Sequence, residues 1–276
     1  SCRIFHFCTN QVLMEWLSAF MLGVIQGLTE FLPVSSSGHL ELAKILLGDS
    51  VPQEGLLLNL VLHTATALST LIVFRKDILE ILKGLVELKM NASWLFASLI
   101  VVSMLPAAGI GLFFEEQVAL LFEGRLGWVG VALVLTAVLL RLADSSKAAG
   151  NSLTPKNALV IGLAQAIAIL PGISRSGATI ATAVLLGVER EKAARFSFLM
   201  VIPLIFGSMF KSLLDVDFAS TEVAYTPLFI GFITAFFTGI LACRWMIALV
   251  KKSQLTYFAV YCLVVGLVAM SYEFFR

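Results

Sequence analysis

GVIQGLTEFLPVSSSGHL, residues 23–40, decides how the rest of the chain reads. Glu30, three serines (Ser35, Ser36, Ser37), Gly38 and His39 crowd into one segment between apolar runs. Ionisable groups at membrane depth are costly and are usually kept for function. Pro33 and Gly38 interrupt the helix pattern between two apolar pieces, residues 13–28 and 40–47. Both fall short of the ~20 residues that span a bilayer. The pattern predicts a re-entrant hairpin, since non-helical backbone is tolerated at membrane depth where it lines a cavity.

The same break recurs in residues 156–187, which contain QAIAILPGISRSGATIATAVLLG. Gly23, Gln26, Ser35, Ser37 and Gly38 match Gly162, Gln165, Ser174, Ser176 and Gly177 at one constant offset of 139 residues. The Leu-Pro pair slips by one position (Leu32-Pro33 against Leu170-Pro171). We read an internal duplication. Between and after the two breaks lie six longer apolar runs: 56–74, 94–114, 127–142, 196–214, 227–250 and 255–275. Pro106 and Pro203 fall inside two of them and predict kinks.

Composition agrees. Of 276 residues, 59% are hydrophobic and 13% charged, against about 25% charged in a soluble domain; the mean hydropathy is +0.96. The chain reads as an all-α integral membrane protein. A net charge of +1 offers no basic field for nucleic acid. Cys2, Cys8, Cys243 and Cys262 lack metal-ligand spacing and read as small hydrophobes. Residues 1–13 read as an N-terminal extension or cloning remnant, with His6 left out of the function. Residues 14–276 read as a single membrane domain, with repeat 1 at about 14–142 and repeat 2 at about 156–276.

Charge orients the spans. Lys and Arg gather in four loops: Arg75, Lys76, Lys83 and Lys89; Arg141, Lys147 and Lys156; Arg190, Lys192 and Arg195; Lys251 and Lys252. The alternate loops carry Asp49 and Glu54; Glu115, Glu116 and Glu123 with only Arg125; and Asp215, Asp217 and Glu222. The positive-inside rule puts the first set in the cytoplasm. The first hairpin then enters from outside and the second from the cytoplasm. This is an inverted-topology repeat with two re-entrant helical hairpins and about six transmembrane helices, and its broken elements meet near the midplane.

The second motif, PGISRSGAT (residues 171–179), suits an oxyanion. The Arg175 guanidinium offers forked donors to phosphate or carboxylate, and helix N-terminal amides add more. Ser174, Ser176, Gly177 and Thr179 are candidate substrate contacts; Arg175 also suits pairing with Glu30. In the first motif His39, expected to face Arg175, is a candidate nucleophile, general acid/base or structural hydrogen-bonder, and Ser36, activated by His39 as in a serine–histidine pair, is the alternative nucleophile. Ser35 and Ser37 are substrate contacts or helix caps. Glu30 could orient His39, accept a proton or help hold a divalent cation. Gln26, one helical turn earlier, shares its face. His63 has no comparable company and reads as structural.

At these residues the chain resembles the undecaprenyl pyrophosphate phosphatase, or bacitracin-resistance, family of bacterial inner membranes. QGLTEFLPVSSSGH (residues 26–39) and PGISRSGATI (171–180) carry the likeness, with FSFLMVIP (196–203) and GFITAF (231–236). The resemblance implies hydrolysis of a C55 isoprenyl pyrophosphate to its monophosphate, which recycles the cell-wall lipid carrier and confers bacitracin resistance. It implies a multi-pass inner-membrane protein with its site open to the periplasm. Glu30 matches the second glutamate of the family's Glu-rich motif. Ser36 and His39 match its nucleophile candidates, Arg175 its phosphate-binding arginine, and Ser174, Ser176 and Thr179 its phosphate-side polar residues. Gln26 departs from some members, in which a glutamate is often found at this position, and leaves Glu30 as the single first-motif acid for an expected magnesium or calcium ion. Expected partners are the polyprenyl pyrophosphate, membrane lipids and, as an option, a second copy in a homodimer. The competing reading is a transporter or flippase for a phosphorylated polyprenyl lipid.

Overall fold

With no proline or glycine before Gly23, nothing in the first residues stops a helix, and α1 runs unbroken over Cys2–Phe31. It passes the expected boundary at Met14 and ends two residues before Pro33. The computed structural model describes residues 2–47, 55–87, 91–114, 117, 125–146, 150–215 and 224–275. Ten helices follow among them: α2 (Ser36–Leu47), α3 (Gly55–Val73), α4 (Arg75–Val86), α5 (Ala92–Phe113), α6 (Leu126–Ser145), α7 (Pro155–Ile167), α8 (Arg175–Leu185), α9 (Arg190–Asp215), α10 (Tyr225–Lys251) and α11 (Leu255–Phe275). The described residues form no strand, so the all-α reading holds.

Among the described residues five helices, α5, α6, α9, α10 and α11, are long and apolar enough to cross a membrane, and the bent pair α3–α4 brings the number to six if it is one span. The five coincide with five of the expected apolar runs and α3 with the sixth, and the protein is a multi-pass membrane protein. α5 and α9 continue through Pro106 and Pro203. Several cations expected in loops lie on helices instead: Arg141, Lys156, Arg190, Lys192, Arg195 and Lys251 fall at or near helix ends, and Arg75, Lys76 and Lys83 lie on a separate helix, α4, which leaves α3 at 74°. α4 is amphipathic. Its Ile78 and Ile81 pack on the core, while Asp77 pairs with Arg195 of α9 at 2.6 Å.

The helices pack in matched pairs: α1 on α10, α7 on α5, and α6 on α11. Small residues permit the last contact. A Cβ on Gly130 of α6 would lie 2.6 Å from the Gly266 carbonyl oxygen of α11, and one on Gly266 would lie 2.7 Å from that of Gly130. The backbones themselves touch, as small-residue interfaces allow in membranes. The basic segments gather at one end. Arg190 donates to the carbonyls of Ala143, Asp144 and Ser146, Lys251 pairs with Glu191 at 2.6 Å, and Asp144 caps α11 through Leu255 N and Thr256 N.

Cys243 and Cys262 are free and buried, as expected of small hydrophobes. Asp49, Glu54, Lys89, Glu115, Glu116, Glu123, Lys147, Asp217 and Glu222, all used to orient the spans, lie outside the described residues, as do the side chains of Cys2, His6, Cys8 and Asp215.

Candidate active site

Both interrupted segments close with the same local chemistry. Ser35 Oγ accepts from Gly38 N at 3.3 Å and lies 3.3 Å from Ser37 Oγ. Ser174 Oγ, the N-cap of α8, accepts from Gly177 N at 3.1 Å and lies 3.3 Å from Ser176 Oγ. A hydroxyl before a short helix takes up one of its orphan N–H groups. The turns before the caps differ. In the second, Gly172 adopts φ +94 with the Val129 carbonyl so close that a Cβ would lie 2.5 Å from it. The first has Pro33 at the matching position, and its left-handed residue is Ser35, at φ +70. That is where the Leu-Pro slip is absorbed.

The two turns touch. Ser176 Oγ donates to the Leu32 carbonyl at 3.3 Å, and a Cβ on Gly177 would lie 3.1 Å from Pro33 Cβ. The N-termini of α2 and α8 thereby reach one site, although Ser36 and Arg175 are far apart in sequence. Both termini carry a partial positive charge that favours an anion.

Glu30 is the hub. Its side chain is 4% exposed. Arg175 pairs with Oε1 through Nη2, Ser36 Oγ donates to Oε2 at 2.8 Å, and Gln26 Nε2 donates to Oε2 at 3.1 Å. The expected Glu30–Arg175 pair is therefore present, and with it the serine. His63, read from the sequence as structural, also belongs here. Its Nδ1 lies 3.1 Å from Gln26 Nε2 and 3.7 Å from Glu30 Oε2.

His39 lies elsewhere. It was expected to face Arg175, but its Nδ1 meets the Ser35 carbonyl at 2.8 Å and its Nε2 meets Tyr261 Oη of α11 at 2.8 Å. The two rings stack with centroids 5.5 Å apart. On the first turn of α2, Ser36 and His39 point to different neighbours, the one to Glu30 and the other to α11.

A cavity of about 560 Å³ opens on this cluster. Glu30, Ser36, Ser37, His63, Ser174 and Arg175 line one part of it, and residues of α5 and α9, with Gln165 of α7 and Ala168, Ile169 and Ile173 of the turn after it, line most of the rest. Of the other sequence candidates, Ser35 and Gln26 are buried behind the lining. Ser176 and Thr179 face a smaller void with Ser197. Thr179 donates to the Arg175 carbonyl at 2.9 Å and contacts Ser197 Oγ, holding the first turn of α8 against α9.

Sequence reading missed His63, Tyr261 and Gln165 as neighbours of the site. No local pattern marks the first two. Gln165 could have been found, since it is the repeat counterpart of Gln26.

No cluster of three or more His, Cys, Asp or Glu among the described residues could enclose a metal ion. Among the described residues Glu30 is the single carboxylate lining the cavity, and both its oxygens are engaged. The donor set therefore does not fit a metal held by protein ligands alone.

The sequence family described as bacitracin resistance protein BacA matches residues 19–268. An undecaprenyl-diphosphatase of Christiangramia forsetii is 56% identical over 262 residues, covering 95% of this chain and 99% of that protein. One of Bacteroides fragilis is 46% identical over 261 residues, covering 93% and 98%. Undecaprenyl-diphosphatase 1 of Bacillus cereus is 36% identical over 263 residues, covering 92% and 96%.

Proposed function

We propose, because this chain belongs to the family of bacitracin resistance protein BacA, that it hydrolyses undecaprenyl pyrophosphate to undecaprenyl phosphate and inorganic phosphate. The observation that carries the reading is the 2.8 Å bond from Ser36 Oγ to Glu30 Oε2, with Arg175 on the other carboxylate oxygen, at the edge of one cavity. A hydroxyl donating to a carboxylate beside a cation is a nucleophile with its base and its charge partner in place.

Ser36 Oγ attacks the terminal phosphorus and its proton passes to Glu30 Oε2. The P–O bond to the bridging oxygen breaks, and its electron pair leaves with the lipid phosphate. Protonation neutralises Glu30, so the Arg175 guanidinium is free to serve the phosphoryl oxygens as charge develops on them, which is where electrostatic help lowers a barrier. Amides at the N-termini of α2 and α8 add donors. Water then hydrolyses the phosphoserine, and the Glu30 proton returns to Ser36 Oγ. We assign His39 to anchoring α2 on α11, because both its ring nitrogens are engaged away from the cavity lining. Glu30 is the residue that would hold a magnesium or calcium ion accompanying the diphosphate, and further neutralisation of phosphate charge is the chemistry such an ion would supply.

The topology belongs to the same proposal. Two re-entrant hairpins and six spans in inverted repeats are supported by the matched caps at Ser35 and Ser174 and by the paired packing of α1 on α10 and α7 on α5. The gathering of basic residues at one end supports placing that end in the cytoplasm and the cavity towards the periplasm of a bacterial inner membrane.

Phosphate release in detergent, where no gradient exists, separates a hydrolase from a flippase. Turnover lost in Ser36→Ala and Arg175→Ala, and a phosphoserine trapped at Ser36 and located by mass spectrometry, are expected. Movement of the lipid in vesicles without phosphate release in detergent would establish the transporter reading instead.

A further inference from the structure

Gln165 is 1% exposed, and neither its amide nitrogen nor its amide oxygen has a hydrogen-bond partner. Such groups are rare in folded proteins and each costs about 1–3 kcal/mol. The duplication explains how this arose. Gln26 donates to Glu30 one turn later; the residue one turn after Gln165 is Ile169, so the second copy of the motif has no carboxylate to receive the amide. Both Gln165 and Ile169 border the main cavity. The partner that the first half supplies from within is thus missing from the second half, at a surface that faces the substrate space.

Position narrows the ligand. Gln165 lies one turn beyond Gly162, where a Cβ would lie 2.3 Å from the Ser103 carbonyl oxygen of α5. α7 is therefore seated tightly on α5, whose Met104, Ala107 and Ala108 form an apolar part of the cavity wall. Ser36 and Glu30 come from the other hairpin and from α1. An amphiphilic diphosphate with its terminal phosphorus at Ser36 and its tail along the α5 wall sets its lipid-linked phosphate beside α7.

We propose that Gln165 binds the phosphate that stays on the lipid, its amide N–H donating to a non-bridging oxygen of that group. This rests on the phosphatase reading for the identity of the substrate. The amide is a neutral donor, so it holds the product phosphate without adding charge that would trap it.

The test uses full-length protein in detergent, wild type and Gln165→Met, a change that keeps length and removes both polar atoms. Binding of farnesyl phosphate is measured directly, inhibition by inorganic phosphate separately, and thermal unfolding alongside. We expect farnesyl phosphate to bind about ten- to a hundredfold more weakly to Gln165→Met, the range of one hydrogen bond to a charged group. Inhibition by inorganic phosphate should stay within twofold, and the unfolding temperature should be unchanged or raised, because an unsatisfied polar group has been removed. Unchanged farnesyl phosphate binding, or a lowered unfolding temperature with binding intact, overturns the proposal; the latter would mark Gln165 as a structural residue. Binding needs no turnover, so weakened farnesyl phosphate binding in a protein whose wild type releases no phosphate would leave this inference standing and sink the phosphatase reading.

Discussion

Removing Arg175 tests the hub of the site most directly. In Arg175→Met the Glu30 carboxylate, 4% exposed, keeps two neutral donors, Ser36 and Gln26, and loses its cation. Breaking a buried ion pair from one side costs about 3–5 kcal/mol, because a charge is left uncompensated. Arg175 is itself 28% exposed and its attraction is partly screened, and each surviving donor is worth about 1 kcal/mol. The expected loss of stability is therefore about 2–3 kcal/mol. Adding Glu30→Gln removes the stranded charge, so the double variant should recover most of that loss while staying inactive. The assay is equilibrium unfolding in mixed micelles of wild type, both single variants and the double variant. A coupling of about 2 kcal/mol is expected; effects that add to within about 0.5 kcal/mol would show that the two groups do not depend on each other and would refute the hub.

Three further outcomes are expected. Ser36→Ala should lower phosphate release by about a hundredfold or more, as loss of a nucleophile with its positioned base demands, with stability changed by about 1 kcal/mol; near-wild-type turnover would exclude Ser36 as nucleophile. Tyr261→Phe removes one hydrogen bond from His39 and should cost about 0.5–1.5 kcal/mol with turnover within about threefold, and His39→Phe should keep measurable turnover; its complete loss, in a protein that still folds, would return the nucleophile to His39. Gly130→Leu forces α6 from α11 at a backbone contact and should destabilise by at least the 1–3 kcal/mol typical of overpacking, read by the same unfolding assay, whereas Gly109→Ala, where a Cβ meets nothing within 4 Å, should be nearly neutral.

Much of this protein was legible locally. Apolar runs of sufficient length marked the candidate spans, because hydropathy acts residue by residue along a segment. The Pro/Gly/Ser breaks gave both turns, and the repeat offset gave their matched caps. α4 was missed because its charges suggested a loop. Its apolar stripe at Ile78 and Ile81 is the better guide, and Asp77 meets its cation only in the fold, on α9. The stop of α1 at Phe31 follows from Pro33.

The opening stretch marks the division. By itself the sequence determined that Glu30, Ser36 and His39 sit at a break between two apolar helices and that an arginine stands at a similar break further along the chain. Tertiary structure alone decided which of them meet. Arg175 reaches Glu30 across 145 positions and His63 reaches Gln26 across 37, while His39 is drawn away to Tyr261 across 222. The reason is geometric. A break's chemistry is written in adjacent residues, but the first turn of α2 projects Ser36 and His39 in different directions. Only the packing of α1, α3, α8 and α11 around that turn settles which one faces the charge and which one faces the wall.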